Sequence, residues 1–171
     1  DRANYIIVTK CPPNISPIEK RIISKHLDLR AYQQLLFTTM KYGDILPLDG
    51  SNHCPITSKG SILCITGIAQ PAPYVEHLKK YSEQIKHIAF PDHHNYSDSD
   101  IQRILQEYAK IDNPTKCIFT TEKDAVRLKL CNLPEEIRQQ IFYIPIEPEF
   151  LTPRDQLIKN IYDYVRQDKR K

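Results

Sequence analysis

Short apolar runs alternate along the chain with stretches in which apolar residues recur every three or four positions. The first pattern is typical of buried strands and the second of amphipathic helices. Helices are predicted to begin near Ser16, Ala72, Ser97 and Thr121, and a closing helix covers 153–165. The predicted strands are 5–9, 35–39, 61–66, 85–90, 116–120 and 141–146.

This alternation of strands and helices predicts an α/β fold. Helices between successive strands are the crossovers of βαβ units, which build a mainly parallel sheet with helices on its faces, a Rossmann-like three-layer sandwich. The 171 residues (1–171) fit one domain, since domains usually contain roughly 100–200 residues. Residues 41–60 are polar and interrupted by Gly and Pro, so we expect an irregular excursion or a hairpin there.

Composition excludes several classes of protein. The 24 Lys and Arg residues nearly balance the 21 Asp and Glu residues, and a net charge of +3 gives no reason to expect a nucleic acid partner. No apolar run approaches the roughly 20 residues of a membrane-spanning helix, and no signal peptide is recognisable. Five widely spaced cysteines without a Cys-x-x-Cys pair indicate a reduced protein, with Cys64 and Cys117 as buried thiols.

The scarcity of glycine limits the chemistry further. The chain has 4 glycines and contains neither a Walker A motif nor a G-x-G-x-x-G loop. We therefore expect this chain alone to hold neither a nucleoside triphosphate nor a metal ion. The chain also opens almost directly on a strand at Tyr5, as expected of a domain cut from a longer protein.

Polar segments directly follow four of the predicted strands. Because function collects outside the carboxyl ends of parallel strands, we expect the four segments to meet at one edge of one sheet. They are Thr9-Lys-Cys-Pro12, Thr66-Gly-Ile-Ala-Gln-Pro71, Phe90-Pro-Asp-His-His94 and Thr120-Thr-Glu-Lys-Asp124.

Asp92-His93-His94 is the sharpest candidate for chemistry. A carboxylate beside an imidazole can handle a proton, because each group shifts the pKa of the other. Two alternatives remain open from the residues alone. One is a metal site, although neighbouring side chains in extended chain point to opposite sides. The other is a set of turn residues that caps the next helix.

The other three segments each have two interpretations. The turn at Gly67 either approaches an anion or is a plain tight turn. Glu122-Lys123-Asp124, with Arg127 one turn later, is either a functional polar cluster or a helix cap with an internal ion pair. Thr9-Lys10 faintly resembles the base-recognition segment of nucleotide-binding folds, without the Asp that usually follows.

Taken together, these motifs resemble the C-terminal half of the tetraacyldisaccharide 4'-kinase family, the lipid A 4'-kinases of Gram-negative bacteria. The resemblance runs from about Arg2 to about Phe150. It rests on Arg2-Ala-Asn4 with Ile6-Ile-Val-Thr-Lys-Cys-Pro12, on Thr66-Gly-Ile-Ala-Gln-Pro71, on Phe90-Pro-Asp-His-His94 and on Thr121-Glu-Lys-Asp-Ala-Val-Arg-Leu128. Gln70 stands where family members often have Asn.

The resemblance implies a lobe related to P-loop kinases that lacks the Walker A motif, in an enzyme that transfers the γ-phosphate of ATP, with Mg²⁺, to the 4'-hydroxyl of a lipid disaccharide. It implies a missing N-terminal P-loop lobe and action at the cytoplasmic side of the inner membrane, and we expect the fragment alone to be inactive. His93 would tune the catalytic base of the other lobe, and Asp92 would orient His93. The substrate and nucleotide cleft would include Thr9, Lys10, Gly67, Gln70, Glu122, Lys123 and Asp124.

Two other functions compete with the kinase. Some metal-dependent phosphoesterases carry a motif that is also written Asp-His-His, but Lys10, Gln70 and the segment 122–124 would make a poor cage for a divalent ion. The third candidate is a non-catalytic α/β module that binds a partner.

Overall fold

The computed structural model describes residues 3–50 and 52–168, so Arg2 of the first motif lies outside the described residues. The α/β class and the mainly parallel sheet are confirmed. The strands are β1 (Tyr5–Val8), β2 (Gln34–Tyr42), β3 (Leu46–Pro47), β4 (Ser61–Thr66), β5 (Gln84–Ala89), β6 (Lys116–Thr121), β7 (Ile141–Ile144) and β8 (Ile146–Phe150). The helices are α1 (Pro17–His26), α2 (Ala72–Leu78), α3 (Asp98–Ala109), α4 (Glu122–Leu128), α5 (Glu135–Arg138) and α6 (Asp155–Asp168).

The chain divides into two compact units. The first contains the residues up to Tyr42 and those from Ile146 onward, and the second contains residues 43–145. The assignment of 1–171 to one domain stays a prediction. Residues 41–60 contain the end of β2 and the two-residue strand β3, and their other described residues lie in turns and loops.

The first unit contains a three-stranded sheet in the order β1-β2-β8. The strands β1 and β2 are parallel, and α1 connects them. This helix begins near Ser16, as predicted, with a capping box in which the Ser16 hydroxyl accepts from the Glu19 N–H and the Glu19 carboxylate accepts from the Ser16 N–H. The strand β8 pairs antiparallel with the second half of β2. The predicted strand 141–146 was therefore too long, since Ile146 begins a separate strand.

The second unit contains a five-stranded sheet in the order β3-β7-β6-β4-β5. All of its strands except β3 are mutually parallel, and every residue of the interior strand β4 is buried. On one face, Leu63, Ile65 and Ile118 share a core cluster with buried residues of α3 and α4. On the other face, the Tyr74 hydroxyl of α2 donates to the Thr120 carbonyl. This unit is therefore a helix–sheet–helix sandwich.

One prediction about the sheet was wrong. The segment Thr9-Lys10 follows β1, which belongs to the three-stranded sheet, whereas the other three segments follow β4, β5 and β6 of the five-stranded sheet. A shared sheet edge therefore unites three of the four predicted segments. The physical reason is that strand periodicity identifies a strand but not the sheet that it joins.

Candidate functional site

Two loops and the beginning of α4 meet at the carboxyl edge of the five-stranded sheet. The strand β4 lies between β5 and β6, parallel to both, with Thr66 opposite Ala89 and Ile65 opposite Thr120. The segments that follow these strands therefore begin side by side. In open α/β sheets this edge is where ligands usually bind.

Asp124 is the central residue of this sheet edge. Its side chain has no exposed surface, although a carboxylate is rarely buried unless its oxygens are paired. The Thr121 hydroxyl donates to Oδ2 at 2.7 Å, and the Gly67 N–H donates to the same oxygen at 2.8 Å. The Arg127 guanidinium donates to Oδ1 at 3.2 Å. Asp124 therefore ties the loop after β4 to the beginning of α4.

Gly67 is required by close approach. A Cβ on this residue would lie 2.9 Å from Oδ1 of Asp124 and 3.4 Å from both the His94 Cβ and the Pro91 carbonyl oxygen. Real Cβ atoms almost never come as close as 2.9 Å to another heavy atom. The glycine therefore lets the backbone reach the buried carboxylate, which fits the tight-turn interpretation of this segment.

His93 is held from two sides. Its backbone has a φ of 58°, in the left-handed region that a residue with a Cβ rarely adopts. Its N–H donates to the Gly67 carbonyl at 3.1 Å, and its Nδ1 lies 3.3 Å from Nη2 of Arg127. Gly67, Asp124, Arg127 and His93 thus form a closed ring of hydrogen bonds, which we call the loop ring.

Asp92 supports the backbone of His93 more than its ring. Its Oδ1 accepts from the His93 N–H at 3.0 Å, whereas its Oδ2 lies 3.7 Å from Nε2 of His93. The second distance is longer than a hydrogen bond. The His93 side chain is 72% exposed, so Nε2 lies at the surface and is open to a further group.

His94 has a structural role. Its ring stacks on Phe90 with centroids 4.7 Å apart, and its Nε2 lies 2.9 Å from Oδ2 of Asp100. Asp100 closes the capping box at the beginning of α3 with Ser97. The hydrogen bonds from the Ser97 hydroxyl and N–H, followed by that with His94, lower the pKa of Asp100 to about 2. The turn interpretation therefore describes His94, while His93 faces the loop ring.

Tyr96 lies beside the loop ring although no sequence motif singles it out. It packs edge-on against both Phe90 and His94. Burial, together with the nearby Asp124 carboxylate, raises the pKa of the Tyr96 phenol well above its usual range. Arg127 is the one residue of the loop ring that the sequence analysis named only beside Glu122-Lys123-Asp124 and did not place in the cleft, and its ion pair with Asp124 fits the interpretation as a helix cap with an internal ion pair. Its signal was its position three residues after Asp124, on the same face of a helix.

The structure brings together only some of the predicted site residues. Gly67, His93 and Asp124 belong to the loop ring, and Asp92 adjoins it. Gln70 is exposed on the loop after β4, and Glu122 and Lys123 are exposed at the beginning of α4. Thr9 and Lys10 are exposed in the first unit, and Lys10 shares with His93 a φ of 58°. The roles of these residues stay predictions.

The carboxylates of this edge do not fit a metal ion. Asp124 is buried with both oxygens engaged, and Asp92 turns one oxygen to its own neighbour. Within residues 3–50 and 52–168, no group of three or more His, Cys, Asp or Glu side chains is arranged to hold a metal.

Comparison with known proteins gives one consistent result. The family model for tetraacyldisaccharide-1-P 4'-kinase matches residues 1–166. A tetraacyldisaccharide 4'-kinase of Bacteroides thetaiotaomicron is 42% identical over an alignment of 183 positions. The alignment covers 99% of this chain and 48% of that protein. Another, of Phocaeicola vulgatus, is 41% identical over 175 residues, with the same two coverages. The chain spans about half the length of the curated relatives it matches.

A solved structure supports the fold. A crystal structure of LpxK from Aquifex aeolicus in complex with ATP superposes with a TM-score of 0.52 and 16% sequence identity. The match covers 93% of this chain and 51% of that chain. At this identity, the likeness concerns the fold alone.

Proposed function

Because the chain belongs to the tetraacyldisaccharide 4'-kinase family, we propose that it is the C-terminal part of a lipid kinase. The whole enzyme transfers the γ-phosphate of ATP to the 4'-hydroxyl of a tetraacyldisaccharide 1-phosphate in lipid A biosynthesis. The observation that carries this proposal is the family match over residues 1–166. The match also favours the kinase over the phosphoesterase and the non-catalytic module, since the relatives are named as kinases.

This chain contributes the loop ring to the active site. His93 is the residue that meets the reacting groups, because its Nε2 lies at the surface while its backbone and its Nδ1 are held. Asp92 keeps the strained turn in place through the His93 N–H. Exposed Gln70, Glu122 and Lys123 border the substrate cleft. ATP and Mg²⁺ are held by the other half of the enzyme, since nothing at this sheet edge cradles phosphates or a metal ion.

The first unit offers a surface for that other half. Most of the exposed large hydrophobic side chains among the described residues belong to this unit. Ile161 and Tyr164 of α6 are 49% and 72% exposed, and Ile18 of α1 is 72% exposed. Ile161 and Tyr164 are three positions apart on α6, so their side chains are neighbours on the helix surface, and adjacent exposed apolar side chains mark an interaction surface. We assign this surface to the N-terminal half of the full-length enzyme, which would cover it.

This surface can be tested with one substitution in two contexts. Tyr164→Ser should leave the stability of the 171-residue chain nearly unchanged and should lower that of the full-length enzyme by about 1–2 kcal/mol, because only the latter buries the ring. Leu130→Ser, at the most exposed large hydrophobic side chain of the second unit, is the matched control and should be neutral in both. Equal effects of Tyr164→Ser in both contexts would contradict this interface.

The full-length enzyme acts at the cytoplasmic side of the bacterial inner membrane, where its acylated substrate resides. Among the residues that the structure describes, none of the helices has the length and apolar character needed to cross a bilayer. The full-length enzyme would contact the membrane surface.

A labelled-ATP assay tests the proposed function. Full-length protein with Mg²⁺ and tetraacyldisaccharide 1-phosphate should yield a labelled lipid, and the product should carry the phosphate at the 4'-position. The 171-residue chain alone should give no more label than a control without protein, because its sequence contains no Walker A motif. A full-length protein that leaves the lipid unlabelled would overturn the proposal.

A further inference from the structure

The guanidinium of Arg127 decides which ring nitrogen of His93 carries the proton. An arginine side chain has only donors and stays charged in proteins. Its Nη2 lies 3.3 Å from Nδ1 of His93, so Nδ1 must be the acceptor in this contact. A neutral imidazole has one donor and one acceptor nitrogen. The proton of neutral His93 therefore lies on Nε2.

The other charged group at the ring agrees with this assignment. Nε2 of His93 faces Oδ2 of Asp92 at 3.7 Å, and an ionised carboxylate can only accept. A lone pair on Nε2 would face this negative charge, whereas an N–H is attracted to it. Arg127 on one side and Asp92 on the other thus favour the same tautomer.

One partner of the contact is fixed by the fold, while the other, His93, has a side chain that is 72% exposed. The Arg127 side chain is only 24% exposed and is fixed by the fully buried Asp124. Asp124 is fixed in turn by the Gly67 N–H, and the Gly67 carbonyl accepts from the His93 N–H. The imidazole is thus held through its backbone and through Nδ1 by the other three residues of the loop ring.

We propose that Arg127 is a positioning residue that holds His93 as the Nε2–H tautomer and aims this N–H outward from the sheet edge. In the proposed kinase, on which this part of the inference rests, His93 then serves as a hydrogen-bond donor to an oxygen of a reacting or catalytic group. It does not take the proton of the acceptor hydroxyl, because its only lone pair is occupied by Arg127.

Nitrogen NMR of the imidazole rings tests the assignment on the 171-residue chain itself. Spectra are recorded well above the ordinary imidazole pKa of about 6.5, and the His93 signals are identified by their loss in His93→Ala. Wild-type His93 should show a protonated Nε2 and an unprotonated Nδ1. Arg127→Lys keeps a cation but cannot bridge Asp124 and Nδ1 with two nitrogens, so it should give averaged shifts from a mixture of tautomers.

Arg103→Lys is the matched control. Arg103 lies over the Phe90 ring rather than in the loop ring, so this variant should keep the wild-type His93 signals. Circular dichroism establishes that each variant is folded. A proton on Nδ1 in the wild type would overturn the inference even if Arg127→Lys failed to fold. Identical His93 signals in the wild type and in folded Arg127→Lys would also overturn it.

Kinetics of the full-length enzyme separate this inference from the proposed function. Arg127→Lys should lower kcat about tenfold while KM for ATP and for the lipid stays near the wild-type value, since positioning is felt in the transition state. A rise of KM with unchanged kcat would contradict the positioning role. If the wild-type protein did not phosphorylate the lipid, the proposed function would fail while the NMR assignment would still stand or fall on its own spectra.

Discussion

The backbone N–H of Gly67 donates a 2.8 Å hydrogen bond to the buried carboxylate of Asp124, which lies 57 residues further along the chain. This single bond ties the loop after β4 to the helix after β6. The other hydrogen bonds of the loop ring bring the loop after β5, which carries His93, to the same place. The candidate site is therefore as rigid as the sheet edge that carries it.

Gly67→Ala should destabilise the protein by about 1–3 kcal/mol, because its Cβ would overlap with the Asp124 carboxylate. The backbone or the carboxylate must then move, so the variant should also disturb the His93 signals in NMR spectra. Urea unfolding measures the first effect.

Gly50→Ala separates crowding from backbone strain. Gly50 has a φ of 75° and open space where a Cβ would stand. Its substitution should cost about 1–2 kcal/mol through the left-handed conformation alone and should leave the His93 signals in place. An equal disturbance of His93 by both variants would show that Gly67 has no special relation to the site.

Asp124→Asn should lower the free energy of unfolding by about 3 kcal/mol. The Gly67 N–H and the Thr121 hydroxyl both need an acceptor, and Arg127 would lose the charge that balances it in a half-buried position. Chemical denaturation of the variant measures the loss.

Glu149→Gln is the comparison for Asp124→Asn, since it removes a carboxylate from an exposed pair with Lys41. Exposed ion pairs contribute between roughly 0 and 1 kcal/mol, so this change should be close to neutral. If Asp124→Asn lowered the free energy of unfolding as little as Glu149→Gln, the buried carboxylate would not be what holds this sheet edge together.

Asp100 should make stability depend on pH on the acid side. Its folded-state pKa of about 2 lies below the ordinary value of 3.8, so its contribution is fully present above about pH 4. The contribution is lost as the pH falls through about 2, where the folded-state carboxylate takes up its proton. Asp100→Asn should therefore be less stable than the wild type at neutral pH, and the difference should shrink as the pH falls below about 4.

Urea unfolding at a series of pH values follows this difference. Asp98→Asn is the matched control, because it removes a carboxylate from the same first turn and leaves the Ser97 and His94 bonds to Asp100. A difference between wild type and Asp100→Asn that stayed constant down to about pH 2 would show that the carboxylate is not held by these bonds.

Local patterns predicted the helix beginnings and most of the strands because caps and apolar periodicity are properties of neighbouring residues. Ser16 and Ser97 form the capping boxes that their sequences indicate. The strand β8 was missed as a separate element, since Pro148 and two glutamates interrupt its apolar pattern. Proline is tolerated there because β8 lies at the edge of its sheet.

The position of the site could be predicted from the sequence only where the order of strands in the sheet could be predicted. The prediction of parallel strands was enough to place Gly67, His93 and Asp124 at one sheet edge. Nothing local to Tyr5–Val8 indicated that Lys10 follows a strand of another sheet. The bond between Arg127 and His93 joins residues 34 positions apart and depends on side-chain geometry. No spacing rule in the sequence records such a contact.

Steady-state kinetics of His93→Ala and His94→Ala in the full-length enzyme test most directly whether the loop ring serves catalysis. His93→Ala should lower kcat about 10²–10³-fold with little change of KM for ATP, because it removes the hydrogen-bond donor that faces the reacting groups. His94→Ala should cost stability through Phe90 and Asp100 and should keep most of kcat in the folded fraction. A near-normal kcat in His93→Ala beside an inactive, folded His94→Ala would contradict the account.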